Sequence, residues 1–258
     1  MNFIVDFNVY YNMGDAIPLD QKGWAERMVT RSRELGANAV RLLGVDFRTA
    51  VPLTKAEFDR QKAMINGEKY HYVELKHEWK PEMAEQGQMK SLIEAYHRRG
   101  MPVYYWGSFQ VHGLINGDAM LDPEYQEVDL EYARRLVKMG FDAIWNGPQS
   151  HEGPYVPRKY ANARGSKYWE WKPELRKDFF DVMAAMRDYN RRFYEAVKKV
   201  SPKTPVLFWT SDQGALSREM QTIESSQYCD FTQMELVGLS NHGIARMRTY
   251  FNNEPRTC

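Results

Sequence analysis

Three stretches of this sequence make the same transition. Residues 34–43 read ELGANAVRLL, residues 98–106 read RRGMPVYYW, and residues 138–145 read KMGFDAIW. Each is a helix end, a glycine, then a short apolar strand. Glycine just past a helix supplies the left-handed residue that closes the last turn. A fourth stretch, KKVSPKTPVLFW at 198–209, makes the same stop with prolines. A chain that leaves one helix after another straight into a strand has few folds open to it. Strands and helices must alternate, and the strands form a parallel sheet with right-handed crossovers.

Runs rich in β-branched and aromatic residues predict strands at Phe3–Tyr11, Ala39–Val45, Pro102–Gly107, Asp142–Asn146, Pro205–Thr210 and Asp230–Val237. The clearest helix runs from Pro173 to Val200, with Phe179, Met183, Met186, Tyr189, Phe193, Val197 and Val200 three or four apart. Proline suits its first turn, where a missing N–H is not needed. Helix-to-strand connections are short. The strand-to-helix connections Asn12–Gly23, Asp46–Pro81, Ser108–Pro123 and Gly147–Lys172 are long. Long loops within a compact domain are usually functional, and these all leave from the C-terminal ends of strands, where α/β barrels build their sites.

The chain's 258 residues, 43% of them hydrophobic, suffice for one core, so 1–258 reads as a single catalytic-type domain. The expected fold class is α/β, a (β/α)8 TIM-type barrel cut short after about six β/α units. Its alternative is an open six-stranded sheet, whose unpaired edges carry an aggregation hazard. Net charge is +1 with signs mixed, and no basic stripe or polybasic segment stands out. The expected partners therefore exclude nucleic acid and membrane, and oligomeric state is left open. Cys229 and Cys258 cannot make a disulfide framework. The N-terminal MNFIVDFNVYYN lacks the features of a signal peptide. The expectation is a cytoplasmic protein or a fragment of a secreted one.

Alternate side chains of a barrel strand point into the barrel. Strand one separates into Val5, Phe7 and Val9 against Asp6, Asn8 and Tyr10; the polar set is expected inside, with Arg41 available to neutralise Asp6. By the same parity, Asp142, Ile144 and Asn146 share a face, as do Phe231, Gln233 and Glu235, while Trp145 and Trp209 are expected against the helices. Asp6, Asn8 and Arg41 read equally as a buried structural network. Glu235, in FTQMELVG, ends its strand beside the long loops, and Asp212 stands level with it one strand earlier. Two carboxyl groups at a barrel mouth can serve as acid and base, or acid and nucleophile, in glycoside cleavage. Asp212 in SDQG is also turn chemistry.

Strand four ends at Asn146, which could hold a sugar hydroxyl through both donor and acceptor atoms. His151 and Glu152 follow on the loop; Glu152 could supply a carboxylate, or both could be solvated loop residues. Aromatic residues crowd the same end: Tyr10, Tyr11, Trp79, Tyr105, Trp106, Tyr168, Trp169 and Trp171. Their flat rings suit the apolar faces of sugars. Trp106, Trp169 and Trp171 are the expected platforms, and Asn8, Tyr10 and Asn146 the expected hydroxyl ligands.

Residues 132–147, YARRLVKMGFDAIWNG, resemble the passage from helix three to strand four in TIM-barrel glycoside hydrolases, notably retaining α-glucosidases and α-fucosidases. The resemblance implies a glycosidase barrel and an acid from strand six, where Glu235 stands. The family's nucleophilic Asp falls near Gly147, where this chain has Asn146-Gly147. The nucleophile must then come from elsewhere, with Glu152 or Asp212 on offer, or the reaction differs, or the barrel only binds sugar. Other barrel chemistries leave marks not found here. Strand one ends in no His-x-His pair, His71 and His77 lack helical spacing, strands five and six carry no Lys, and no glycine-rich phosphate loop occurs. The expected activity is hydrolysis of an oligosaccharide or glycoside, with no cofactor and no metal. A non-catalytic sugar-binding barrel, or a lyase or isomerase acting on sugar-like substrates, is the alternative.

Overall fold

The computed structural model describes residues 6–10, 23–43, 52–66, 78–79, 81, 87–106, 123–146, 176–211 and 227–235. Six strands stand where the sequence predicts them: β1 (Asp6–Tyr10), β2 (Ala39–Leu43), β3 (Val103–Trp106), β4 (Ala143–Asn146), β5 (Val206–Ser211) and β6 (Phe231–Glu235). Helices α1 (Trp24–Glu34), α2 (Lys55–Asn66), α3 (Gly87–His97), α4 (Pro123–Met139) and α5 (Arg176–Val200) connect them. All neighbouring strands pair parallel, in the order β1-β2-β3-β4-β5-β6. Among the described residues the sheet does not close, and β1 and β6 are its two edges. No described helix is long and apolar enough to cross a membrane.

The repeated junction forms as its glycines require. Gly36, Gly100 and Gly140 have φ of 81°, 68° and 101°, and only a residue without Cβ takes that conformation freely. In each case the next N–H turns back to a helix carbonyl: Ala37 to Ser32, Met101 to Tyr96 and Phe141 to Leu136. Strand starts are held by a second recurring device. Asp142 accepts the Val103 N–H at 2.7 Å and meets His97 Nε2 at 2.7 Å. Asp230 repeats this two β/α units later, accepting the Val206 N–H at 2.7 Å and pairing with Lys198 at 2.7 Å. Each carboxylate joins two strands to the helix that precedes them.

The core lies between the sheet and the helices. Val40, Val103, Tyr105, Ile144 and Val206 are at most 1% exposed and pack with Leu92, Ile93, Tyr96, Val128, Leu136, Tyr189, Phe193 and Val197. Of the long helix's predicted stripe, Tyr189, Phe193 and Val197 are buried and Val200 packs at the margin. The predicted start at Pro173 lies outside the described residues.

This packing corrects one parity expectation. Ile144 and Asn146 face the helices, not the opposite side of the sheet, and Asp142 precedes β4 as a strand-start ligand. Trp145 therefore takes a register position on the face away from the helices, in the row of Trp106 and Leu207, and Trp209 follows Leu207 with the same parity.

A second correction concerns the Asp46–Pro81 connection, expected above the C-terminal ends of the strands. Its described part docks on the outside of α4. Thr54 and Glu57 form a capping box: the Thr54 N–H and Oγ1 donate to Glu57 Oε2 at 2.9 and 3.0 Å, and the Glu57 N–H donates to Thr54 Oγ1 at 3.2 Å. Glu57 Oε1 accepts from Arg135 of α4 at 2.5 Å, and Arg135 also donates to the Pro52 carbonyl at 3.2 Å. Trp79, expected among the mouth aromatics, donates to the Leu53 carbonyl at 3.1 Å. Arg135 lies in the final part of the helix that leads into β4, at the N-terminal end of the sheet.

The hydrogen bond from Arg135, reinforced by those from Thr54, holds the Glu57 carboxyl at about 2, below its ordinary value of about 4.5. A carboxyl lowered on folding stabilises the protein above its unfolded pKa, and the contribution disappears as pH falls from about 4.5 towards about 2. Glu57→Gln should cost about 2 kcal/mol at neutral pH. Chemical denaturation should show the gap between wild type and variant closing across that acid range; a gap independent of pH would contradict the clamp.

Candidate functional site

The two faces of the sheet differ. On the helix side Val40, Val103, Tyr105, Ile144, Asn146 and Val206 are buried. On the other side Arg41, Tyr104 and Leu207 are half-buried, Phe231 is 41% exposed, and Ala39 and Ala143 are buried.

The strand register assigns each expected residue a place. Asn8 shares a cross-strand row with Arg41, Tyr104 and Ala143. The next row on that face runs across all six strands: Tyr10, Leu43, Trp106, Trp145, Leu207 and Phe231. Trp209 and Gln233 pair above it, and Ser211 and Glu235 pair at the C-terminal end of the described sheet. Asn8, Tyr10, Trp106 and Glu235 thus hold register positions on one face, with the largely aromatic row between Asn8 and Glu235. Asp212, Glu152, His151, Trp169 and Trp171 lie outside the described residues.

Asn146 does not join them. Its Nδ2 donates to Asn190 Oδ1 of α5 at 2.7 Å, and both residues are buried, at 1% and 0% exposure. An amide on the helix side of β4 cannot present its donor and acceptor to a ligand on the opposite face. Its expected role as a hydroxyl ligand is therefore corrected to a tie between β4 and α5. The Asn146 Oδ1 has no hydrogen-bond partner among the described residues.

Asn146 belongs to a polar layer behind β3 and β4 that the sequence reading missed. Tyr189 donates to Asp129, which is fully buried, and the hydroxyls of Tyr105 and Tyr132 meet at 2.8 Å. Burial, with the Asp129 charge adding to it, pushes both of these phenols well above their ordinary range, so they stay neutral at physiological pH. Arg192 donates to Gln126 and Glu127 at the margin of this layer. A signal existed in the sequence: Asn190 occurs between Tyr189 and Phe193, where the helical stripe turns inward. These groups lie on the helix side of the sheet, opposite the register face of Asn8 and Glu235. Among the described residues no group of three His, Cys, Asp or Glu could hold a metal ion.

No family model matches the chain, and no curated protein matches it. Solved structures do. A GH113 β-1,4-mannanase superposes with a TM-score of 0.54 at 11% identity, over 99% of this chain and 70% of that one. β-Glucuronidase 2 of Bacteroides uniformis gives 0.53 at 10% identity, over 98% of this chain and 24% of that one. The O-GlcNAc hydrolase of Thermobaculum terrenum gives 0.53 at 11% identity, over 98% and 45%. The chain spans between 24% and 70% of the lengths of these proteins. At such identities the likeness is one of fold: an α/β architecture with a parallel sheet, as in TIM-barrel glycoside hydrolases. None of the three is an α-glucosidase or an α-fucosidase, so the narrower resemblance of residues 132–147 gains no support from them.

Proposed function

We propose that the chain is a carbohydrate-active barrel that hydrolyses glycosidic bonds with two carboxyl groups at the C-terminal end of its sheet. The observation that carries this reading is the register position of Glu235. It ends β6 in the register of the face away from the helices, beyond the largely aromatic row. The fold likeness to glycoside hydrolases favours sugar over other barrel substrates, though a fold hosts many chemistries and the site must carry the argument.

In this reading Glu235 is the acid/base. It protonates the departing glycosidic oxygen and then takes a proton from the incoming water or hydroxyl. Asp212 or Glu152 is the partner carboxyl, as nucleophile or as the base that activates water. A separation of about 5 Å makes the reaction retaining, and 6.5–9.5 Å makes it inverting. Asn8 and Tyr10 orient hydroxyls. Trp106, Trp169 and Trp171 offer ring faces to the sugar, and His151 lines the approach.

A second reading, a barrel that binds sugar without cleaving it, is favoured by β4. That strand ties its only described polar side chain, Asn146, to α5. Turnover of a panel of aryl glycosides, run beside titrations with neutral oligosaccharides, separates the two. The hydrolytic reading expects turnover of at least one glycoside. Oligosaccharide binding with no turnover supports the second reading, and neither binding nor turnover contradicts both.

A further inference from the structure

Asn146 is a misfit on the helix side of the sheet. Val103, Ile144 and Val206 on that face are apolar and fully buried, and a residue like them would bury with no polar group to satisfy. Asn146 uses only half of its polar capacity. Its Nδ2 donates to Asn190 Oδ1 at 2.7 Å, and its Oδ1 has no partner among the described residues. The desolvated oxygen offsets what one neutral hydrogen bond contributes, so the pair adds little net stability. What it adds is direction. Apolar contact is non-directional, whereas an N–H···O bond fixes both distance and angle.

That direction acts at one place. Asn146 is the last residue of β4. Among the described residues its strand's register with β5 runs to Asn146 and Phe208, but the register with β3 stops one residue earlier, at Trp106 and Trp145. The amide tie holds β4 where this described ladder is one-sided. Its anchor is itself fixed, because Tyr189, the neighbour of Asn190 on α5, donates to the buried Asp129 of α4. Successive residues of a strand face opposite sides of the sheet. A clamp on Asn146 behind the sheet therefore fixes the backbone that carries Trp145 on the other face. Trp145 stands in the row of Trp106 and Leu207, and Trp209 continues the same parity towards the Ser211–Glu235 pair.

We infer that Asn190 is a positioning residue, which through Asn146 holds Trp145 in place as a further ring platform for the sugar. The sugar rests on the carbohydrate reading above; the placement of Trp145 does not. The test is the near-ultraviolet circular dichroism of Asn146→Leu, whose indole bands report how firmly tryptophan rings are held. Those bands should change while the unfolding temperature stays within a few degrees of wild type. Asn190→Ala should reproduce the change, and in a Trp145→Phe background Asn146→Leu should change nothing further. Asn146→Ala replaces Asn146→Leu if the larger side chain unfolds the chain. With a cleaved aryl glycoside, Asn146→Leu should raise KM at least about tenfold with kcat little changed, the mark of lost binding and not of lost chemistry.

Wild-type indole bands in the folded variant overturn the inference, and so does the same spectral change in the Trp145→Phe background. Loss of the fold in both Asn146 variants, or a spectral change seen only with a large loss of stability, also overturns it, because the tie is then structural alone. An unchanged KM removes Trp145 as a platform. The two readings fail separately: a wild type that turns over no glycoside sinks the hydrolytic reading, while the indole bands still decide the placement of Trp145.

Discussion

Ile144→Ala should destabilise the protein by about 2–5 kcal/mol, whereas Phe231→Ala should cost less than about 1 kcal/mol. The contrast follows from the two faces of one sheet. Ile144 is 0% exposed and sits in the core shared by β3, β4, β5 and the helices, so truncation removes buried contacts and leaves a cavity. Phe231, on the other face, is 41% exposed and most of the benefit of burying its ring is never realised. Thermal unfolding should show a fall of roughly 5–15 °C for Ile144→Ala, at about 2–4 °C per kcal/mol for a chain of this size. Phe231→Ala should stay within a few degrees of wild type. Equal losses would mean that both faces are packed shut, leaving no room for a ligand where Glu235 ends its strand.

The alternation of strands and helices was legible because it is written in local chemistry. A glycine after a helix and a β-branched or aromatic run after the glycine act within a few residues of one another, and β2, β3 and β4 formed where those signals lie. The facing of β4 was not legible in the same way. Asp142 and Asn146 are polar, and polar strand residues were expected on the side away from the helices. Their partners instead come from distant helices: His97 on α3 for Asp142 and Asn190 on α5 for Asn146. Periodicity shows which residues share a face but not which face is covered when the covering helix carries its own buried amide. The parity of strand one pointed the right way, because its apolar residues share the register parity of the buried Val40.

The course of the Asp46–Pro81 connection failed for a similar reason. Length marked it as functional, yet its described part is held by Glu57 against Arg135, residues far apart in the chain. The Thr54-to-Glu57 spacing of a capping box could have been read from the sequence. Its second task, clamping another helix, could not. Of the expected site, four residues share a face by register, one is tied into the helix layer, and Asp212, Glu152, His151, Trp169 and Trp171 remain part of the proposal.

The role given to Glu235 carries the largest functional effect. A side chain that transfers the proton at the scissile oxygen contributes about 10²–10⁴-fold, and an amide of the same shape cannot replace it. Glu235→Gln changes one exchangeable proton and little volume at a strand end, so the core behind β5 and β6 is untouched and unfolding should match wild type. Oligosaccharide affinity should also persist, because the ring platforms and hydroxyl ligands remain. The decisive measurement is therefore kcat for a cleaved aryl glycoside in the folded Glu235→Gln variant. A fall of at least about a hundredfold with binding retained is the expected result. Wild-type kcat in that variant would remove Glu235 from the chemistry and with it the account of the site.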